Sequence, residues 1–123
     1  MKESKLIFTA YSKYNFYFRE HISKFVLETG NVPLNPFMSF EYFMLDTVPR
    51  DVVRNANNTL VKKAEELWIF GQIADGVLNE IEIAKKDNKP IKYFEIVNSK
   101  EIKKISKEKV KFEEGLEKYR GEL

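Results

Sequence analysis

At 123 residues with 43% apolar side chains, the chain is sized for one domain with a real core. Its 21 basic and 19 acidic residues leave a formal charge of +2, so no global field points to nucleic acid or to an anionic membrane as partner. Having no cysteine excludes disulfides, thiolate metal sites and cysteine nucleophiles, and a single histidine, His21, cannot hold zinc by itself. No metal or cofactor is therefore expected, and His21 reads as structural or exposed. Met1 to Leu6 has no long apolar run behind its lysines and no stretch reaches membrane-spanning length, so a cytoplasmic protein with no membrane partner is the expectation.

Leu6 to Ala10 reads as a first strand, followed by a polar and aromatic loop, Tyr11 to Asn15. Phe18, Ile22, Phe25 and Val26 then repeat at helical spacing up to Gly30, a residue suited to the position just past a helix end. Asn31 to Leu34 is a short second strand stopped by Pro36. Asn35 to Leu45 is dense in aromatic and methionine side chains for a connection. It reads as a lid over the ligand end of a sheet, as an apolar surface that a second subunit covers, or as simple core filling. Thr47 and Pro49 start a helix whose apolar stripe runs from Val52 to Ala64. Asn55, Asn57 and Asn58 interrupt it, and their low helix propensity predicts a break near Asn57 that frees amide side chains for a ligand.

Leu67 to Lys86 is the stretch around which the chain is organised. Leu67 to Phe70 is a run of apolar residues suited to a strand buried on both faces, and Gly71 to Asp75 turn the chain. Asp75 is placed to cap a helix starting at Gly76, with Val77, Leu78, Ile81 and Ala84 on one stripe. Glu82 has Lys86 one turn ahead, whereas Glu80 has Ala84 ahead and Gly76 behind, and so no local partner. Helical side chains lean toward the N-terminus, which puts the Glu80 carboxylate above Gly76, where no side chain blocks a ligand. The competing reading is a surface acid at the edge of an apolar stripe.

Asp87 to Pro90 is a turn and Ile91 to Ile96 a fourth strand. Strands alternating with helices give the α/β class: a parallel sheet of about four strands in order 2-1-3-4, helices on both faces, and a pocket between strands one and three lined by Tyr11 to Asn15 and Ala74 to Glu80. Residues 1–97 make up this domain. Residues 98–123 read as a charged extension of it, solvated by six lysines between Lys100 and Lys111 and ending in a helix that docks through Phe112, Leu116 and Tyr119. No phosphate-binding glycine loop follows the first strand and no Ser-His-acid set can be assembled, so the available chemistry is that of carboxylates.

The first strand with Tyr11 just past it, KKAEELWIFG feeding the central strand, and DGVLNEIEIAKKDNKPI with Gly76 four residues before Glu80 together resemble the nucleoside 2-deoxyribosyltransferase-like family over roughly Leu6 to Ile96. The resemblance implies a three-layer, flavodoxin-like domain that cleaves or exchanges the N-glycosidic bond of a deoxynucleoside or nucleotide. It implies Glu80 as the catalytic nucleophile, with Tyr11, Ser12, Asn57, Asp75 and Gly76 around the substrate. Arg50 and Arg54 are candidates for a 5′-phosphate. The family has an aspartate where counting back from Glu65 lands on Asn57, and an amide cannot accept a proton. On that ground Asn57→Asp is expected to raise turnover, and a nucleotide-derived ligand sensor without turnover is the alternative. In this family the C-terminal part of an adjacent subunit closes the site. A homodimer or larger homo-oligomer is expected, because the aromatics from Phe37 to Phe43 and the docking stripe exceed what one small sheet covers.

Overall fold

The computed structural model describes residues 3–40 and 42–123. Glu41 and the side chain of Tyr42, within the aromatic stretch, lie outside the described residues, as do Met1 and Lys2 at the head of the segment screened for a leader. The strands are β1 (Leu6–Tyr11), β2 (Val32–Leu34), β3 (Glu66–Phe70), β4 (Ile91–Val97) and β5 (Glu101–Ile105). The helices are α1 (Arg19–Glu28), the short α2 (Pro36–Ser39) and α3 (Tyr42–Thr47), α4 (Arg50–Lys63) and α5 (Asp75–Lys86). The chain is an α/β domain whose sheet runs β2-β1-β3-β4-β5.

β1 and β3 are central because their apolar runs satisfy both faces at once. On one face Phe8, Ala10, Leu67 and Ile69 pack with Val61 and Ala64 at the end of α4 and with Val77, Ile81 and Ala84 of α5. On the other, Ile7, Tyr11, Trp68, Phe70 and Phe94 pack with Phe18 and with Ile22 and Val26 of α1. Each fully buried Ile, Leu or Phe contributes about 1.5–3 kcal/mol, so these alternating faces fix the register of both strands. The chain leaves β1 toward α1 on one face and β3 toward α5 on the opposite face. Between the carboxyl ends of these adjacent parallel strands a crevice must open.

The expected all-parallel sheet of about four strands, with a helix after it, is corrected to a mixed sheet of five. β5 pairs antiparallel with β4, placing Ile102 opposite Ile96 and Ile105 opposite Tyr93. The reversal is made by Asn98 and Ser99, both left-handed at φ 54 and 51, and by the Lys100 amide donating to the Val97 carbonyl at 3.0 Å. Lys103 and Lys104, read from sequence as part of a solvated segment, sit on the outer strand of the sheet, where charge discourages pairing with another chain. The spacing of Phe112, Leu116 and Tyr119 does not form an α-helix, since Gly115 turns left-handed at φ 86 between them and only a 3-10 segment, Glu117–Glu122, follows.

This tail folds on its own sheet. Val110 and Leu123 join the core cluster of Ile73, Val77 and Ile81. Arg120 donates to the carbonyl of Val110 at 2.8 Å and stacks over the Phe112 ring at 4.9 Å. Of the stripe Phe112, Leu116 and Tyr119, Phe112 packs against this same core cluster.

Two local expectations also change. α4 runs unbroken from Arg50 to Lys63, because the amides that favour a break are used instead by bonds to α5: Asn57 donates to Glu80 and Asn79 to Asn58. Packing overrides propensity there. α5 begins at Asp75 rather than Gly76, with extended Ala74 in the cap position and no side-chain cap. Asp75 instead stands as the acidic residue of the first turn, the end of a helix where negative charge is favoured.

Gly71 joins β3 to the crevice at φ 84, and the Asn15 amide fills the space a Cβ would need. Gly71→Ala is expected to cost about 1–2 kcal/mol for the left-handed backbone alone, and more for displacing Asn15, lowering the melting midpoint by about 5–10 °C. Calorimetric melting of the two proteins checks this, and equal midpoints would refute it.

Candidate active site

The crevice is a cavity of about 700 Å³. The residues singled out as candidate site residues all line it, namely Glu80, Tyr11, Ser12, Asn57, Asp75, Gly76, Arg50 and Arg54, whereas Tyr14, Asn15 and Leu78 of the stretches expected to form its wall do not. They arrive from three places, namely the end of β1, the inner side of α4 and the first turns of α5.

Glu80 follows Val77 by three residues and precedes Ala84 by four, so it lies on the buried side of α5 and is only 8% exposed. Its Oε2 accepts a hydrogen bond from the Asn57 amide of α4 at 2.6 Å. Burial pushes the carboxyl up to about 7, and the Asn57 bond, which favours the ionised form, offsets part of that rise. Among the described residues Oε1 has no protein partner. Glu80 is thus a desolvated carboxyl poised between its two protonation states near neutral pH, with one oxygen pinned and the other available.

Gly76 lies one turn below, with open space where a Cβ would project. Asp75 is exposed beside it. The backbone amides of this first turn lack intrahelical partners by the geometry of helix ends, which suits an anionic or strongly polar ligand group. At the rim Arg50 and Arg54 are exposed, and neither has an ion-pair or hydrogen-bond partner among the described residues. Phe37, Phe40, Leu45 and Val53 supply an apolar wall. The aromatic stretch is thus divided: part of it flanks the cavity, while Phe43 is 76% exposed.

Tyr11 differs from expectation in one respect. Its hydroxyl donates to Asn35 Oδ1 at 2.6 Å, and burial raises the phenol far above its ordinary range, so its polar end is committed inside the protein. Asn35 also caps α2 through the Phe37 amide, and Phe37 packs on the Tyr11 ring at 5.0 Å. Tyr11 therefore holds the apolar wall in place. His21, set aside from sequence, stacks on Phe18 at 4.7 Å and lies outside the cavity lining.

Glu113 was missed. It lines the cavity and accepts a hydrogen bond from the Ser12 hydroxyl. Its position depends on the tail running parallel to Ile73, and the sequence around it, KFEEG, carries no motif that announces this.

Fold and cavity together define an α/β domain with a carboxylate-bearing crevice at the switch point of its sheet. The model of the family described as a domain of unknown function, DUF7768, matches residues 7–94, and the chain belongs to that family. No curated protein matches the chain. No helix among the described residues is long and apolar enough to cross a membrane.

Proposed function

We propose that the protein cleaves or exchanges the N-glycosidic bond of a deoxynucleoside or its monophosphate, with Glu80 as nucleophile on a flavodoxin-like arrangement of the sheet. The observation that carries this is the Glu80 carboxyl: buried, held through one oxygen by Asn57, and set beside a glycine in a cavity large enough for a nucleotide. A carboxylate with little hydration to lose stabilises the oxocarbenium-like centre at C1′ and then bonds to it while the base departs. The apolar wall of Phe37 and Phe40 suits a base, and Arg50 and Arg54 suit a 5′-phosphate. Such substrates place the activity in the cytoplasm.

Incubation with a panel of deoxynucleosides and their 5′-monophosphates, with free base quantified, tests the reading. Release should rise with pH through about 7, as Glu80 ionises, and fall by at least about 10³-fold in Glu80→Ala. Release that survives Glu80→Ala moves the nucleophile elsewhere. Asn57 favours a second reading, since an amide bonded to Glu80 accepts no proton: a ligand sensor on the same site. Tight nucleotide binding by calorimetry with no release from any substrate would select it.

A further inference from the structure

We propose that Glu113 is the second reacting carboxylate of the cavity, the group that takes the proton from the water that frees the sugar from Glu80. The inference rests on the reading of Glu80 as nucleophile, and it supplies what Asn57 cannot.

The tail delivers Glu113 by backbone geometry. The Ile73 amide donates to the Lys111 carbonyl at 2.8 Å and the Glu113 amide donates to the Ile73 carbonyl at 2.9 Å, so the tail is clamped to the loop between β3 and α5 on both sides of Phe112. Phe112 packs against the core, and Glu113 meets the end of β1. Ser12 is buried there, and its oxygen accepts from the Tyr14 amide at 3.2 Å. With that oxygen engaged as acceptor, the hydroxyl proton is directed to Glu113 Oε2. Glu113 Oε1 has no hydrogen-bond partner among the described residues. The cavity thus holds two carboxylates, each pinned through Oε2 by a neutral donor, on different elements of the fold.

Their surroundings differ in a way that sorts their roles. Glu80 is buried under α4, whereas Glu113 is half-buried at the cavity wall, where water reaches it. Asp75, the other acid in the lining, is exposed in the first turn of α5, and its carboxylate has no hydrogen bond among the described residues. In the step assigned to Glu113, a water oxygen bonds to C1′ and the bond from C1′ to the Glu80 oxygen breaks. The electron pair returns to Glu80 and the water proton passes to Glu113, which then loses it to solvent. Glu113 lies beyond the family-matched residues 7–94, so this residue is a property of the tail rather than of the matched domain.

The test uses the full chain with Glu113→Gln, whose side-chain carbonyl still accepts from Ser12. The substrates are the deoxynucleosides and their 5′-monophosphates. Expected is an unchanged melting temperature and prompt release of about one equivalent of base per chain. Steady turnover should then be slowed at least about tenfold, with the intact chain heavier in mass spectra by one deoxyribosyl group, or by one 5-phosphodeoxyribosyl group with the monophosphates. Wild-type turnover in Glu113→Gln would overturn this inference and leave Glu80 as nucleophile. If Glu113→Gln melts lower, Glu113→Asp decides: recovered turnover supports the proton role, and continued loss overturns it in favour of a clip for the tail. No base release by the wild-type protein from any substrate overturns the Glu80 reading and this one with it.

Discussion

Glu80→Gln will be more stable than the wild-type protein by about 3 kcal/mol at pH 9, and no more stable at pH 4. The wild-type carboxyl sits at about 7 in the folded chain against an ordinary 4.5, and at about 1.4 kcal/mol per pH unit that gap amounts to about 3 kcal/mol. Below pH 4.5 both folded and unfolded chains hold the proton, and burial costs nothing extra. Between 4.5 and 7 the unfolded chain has lost the proton while the folded chain keeps it, so wild-type stability falls as pH rises. Above 7 the loss is complete and constant. The Gln variant has no charge to bury, and its carbonyl still accepts from Asn57, so the difference between the two proteins follows that curve. Urea titrations of both at pH 4, 7 and 9 check it, and parallel stabilities at all three would mean that solvent reaches the carboxyl. For a domain whose total stability is typically 5–15 kcal/mol, this is a large cost for one side chain, of the kind retained where a site needs it. The same substitution should abolish base release.

Glu66 shows that a buried carboxylate need not carry such a cost. It lies at the other end of β3, where Trp68 Nε1 donates to it at 2.9 Å and Lys5 and Lys92 lie at 3.1 and 3.6 Å. Burial pushes its carboxyl up, but the Trp68 bond and the two lysines outweigh that and hold it below the ordinary range. Glu66 therefore stabilises the fold at neutral pH and ceases to do so as the solution is acidified. It is an identical residue in both Glu80 proteins, so its titration cancels from their difference. Two glutamates fourteen residues apart, one on β3 and one on α5, thus contribute in opposite senses, and the distinction is whether cations accompany the burial.

Periodicity was enough to find β1 to β4 and the major helices, because β1, β3 and α5 are written in apolar patterns that only one burial satisfies, whereas the lysine-rich β5 carries no such pattern. It also exposed Glu80, since a lone acid on the edge of a buried stripe with no partner one turn away is a local inconsistency visible in the chain itself. What it could not supply depends on contacts between distant segments. The continuity of α4 across Asn55 to Asn58 needs α5 beside it, with Glu80 and Asn79 to pair the amides. The tail is the clearest case: Phe112, Leu116 and Tyr119 keep helical spacing by coincidence, while the left-handed Gly115 and the bridge to Ile73 decide the path. Glu113 reaches the cavity only because of that path. Its bond to Ser12 joins residues at opposite ends of the sequence.

Asn57→Asp will slow base release at pH 7 by about tenfold or more, reversing the gain expected from sequence. Read alone, Asn57 stands where an acid should handle the proton, and restoring a carboxylate looks beneficial. In the folded chain Asn57 donates directly to Glu80 Oε2 at 2.6 Å, and an ionised aspartate has no proton to donate. Two carboxyl groups at that separation hold one proton between them, because both cannot ionise side by side in a buried site. The shared proton keeps Glu80 out of its nucleophilic form at neutral pH, moving the rising limb of the rate to higher pH. Above that limb the second charge must be buried unpaired, and the loss of a charge-assisted hydrogen bond alone costs about 1.5–3 kcal/mol. The variant should therefore be less stable than the wild-type protein at pH 9 and match it more closely at pH 5, opposite in direction to Glu80→Gln. Rates and urea titrations across the same pH range decide the matter. A rise of about 10²-fold in base release at pH 7 would show that the new carboxylate serves the substrate rather than Glu80, and that the bond between α4 and α5 is dispensable to the chemistry.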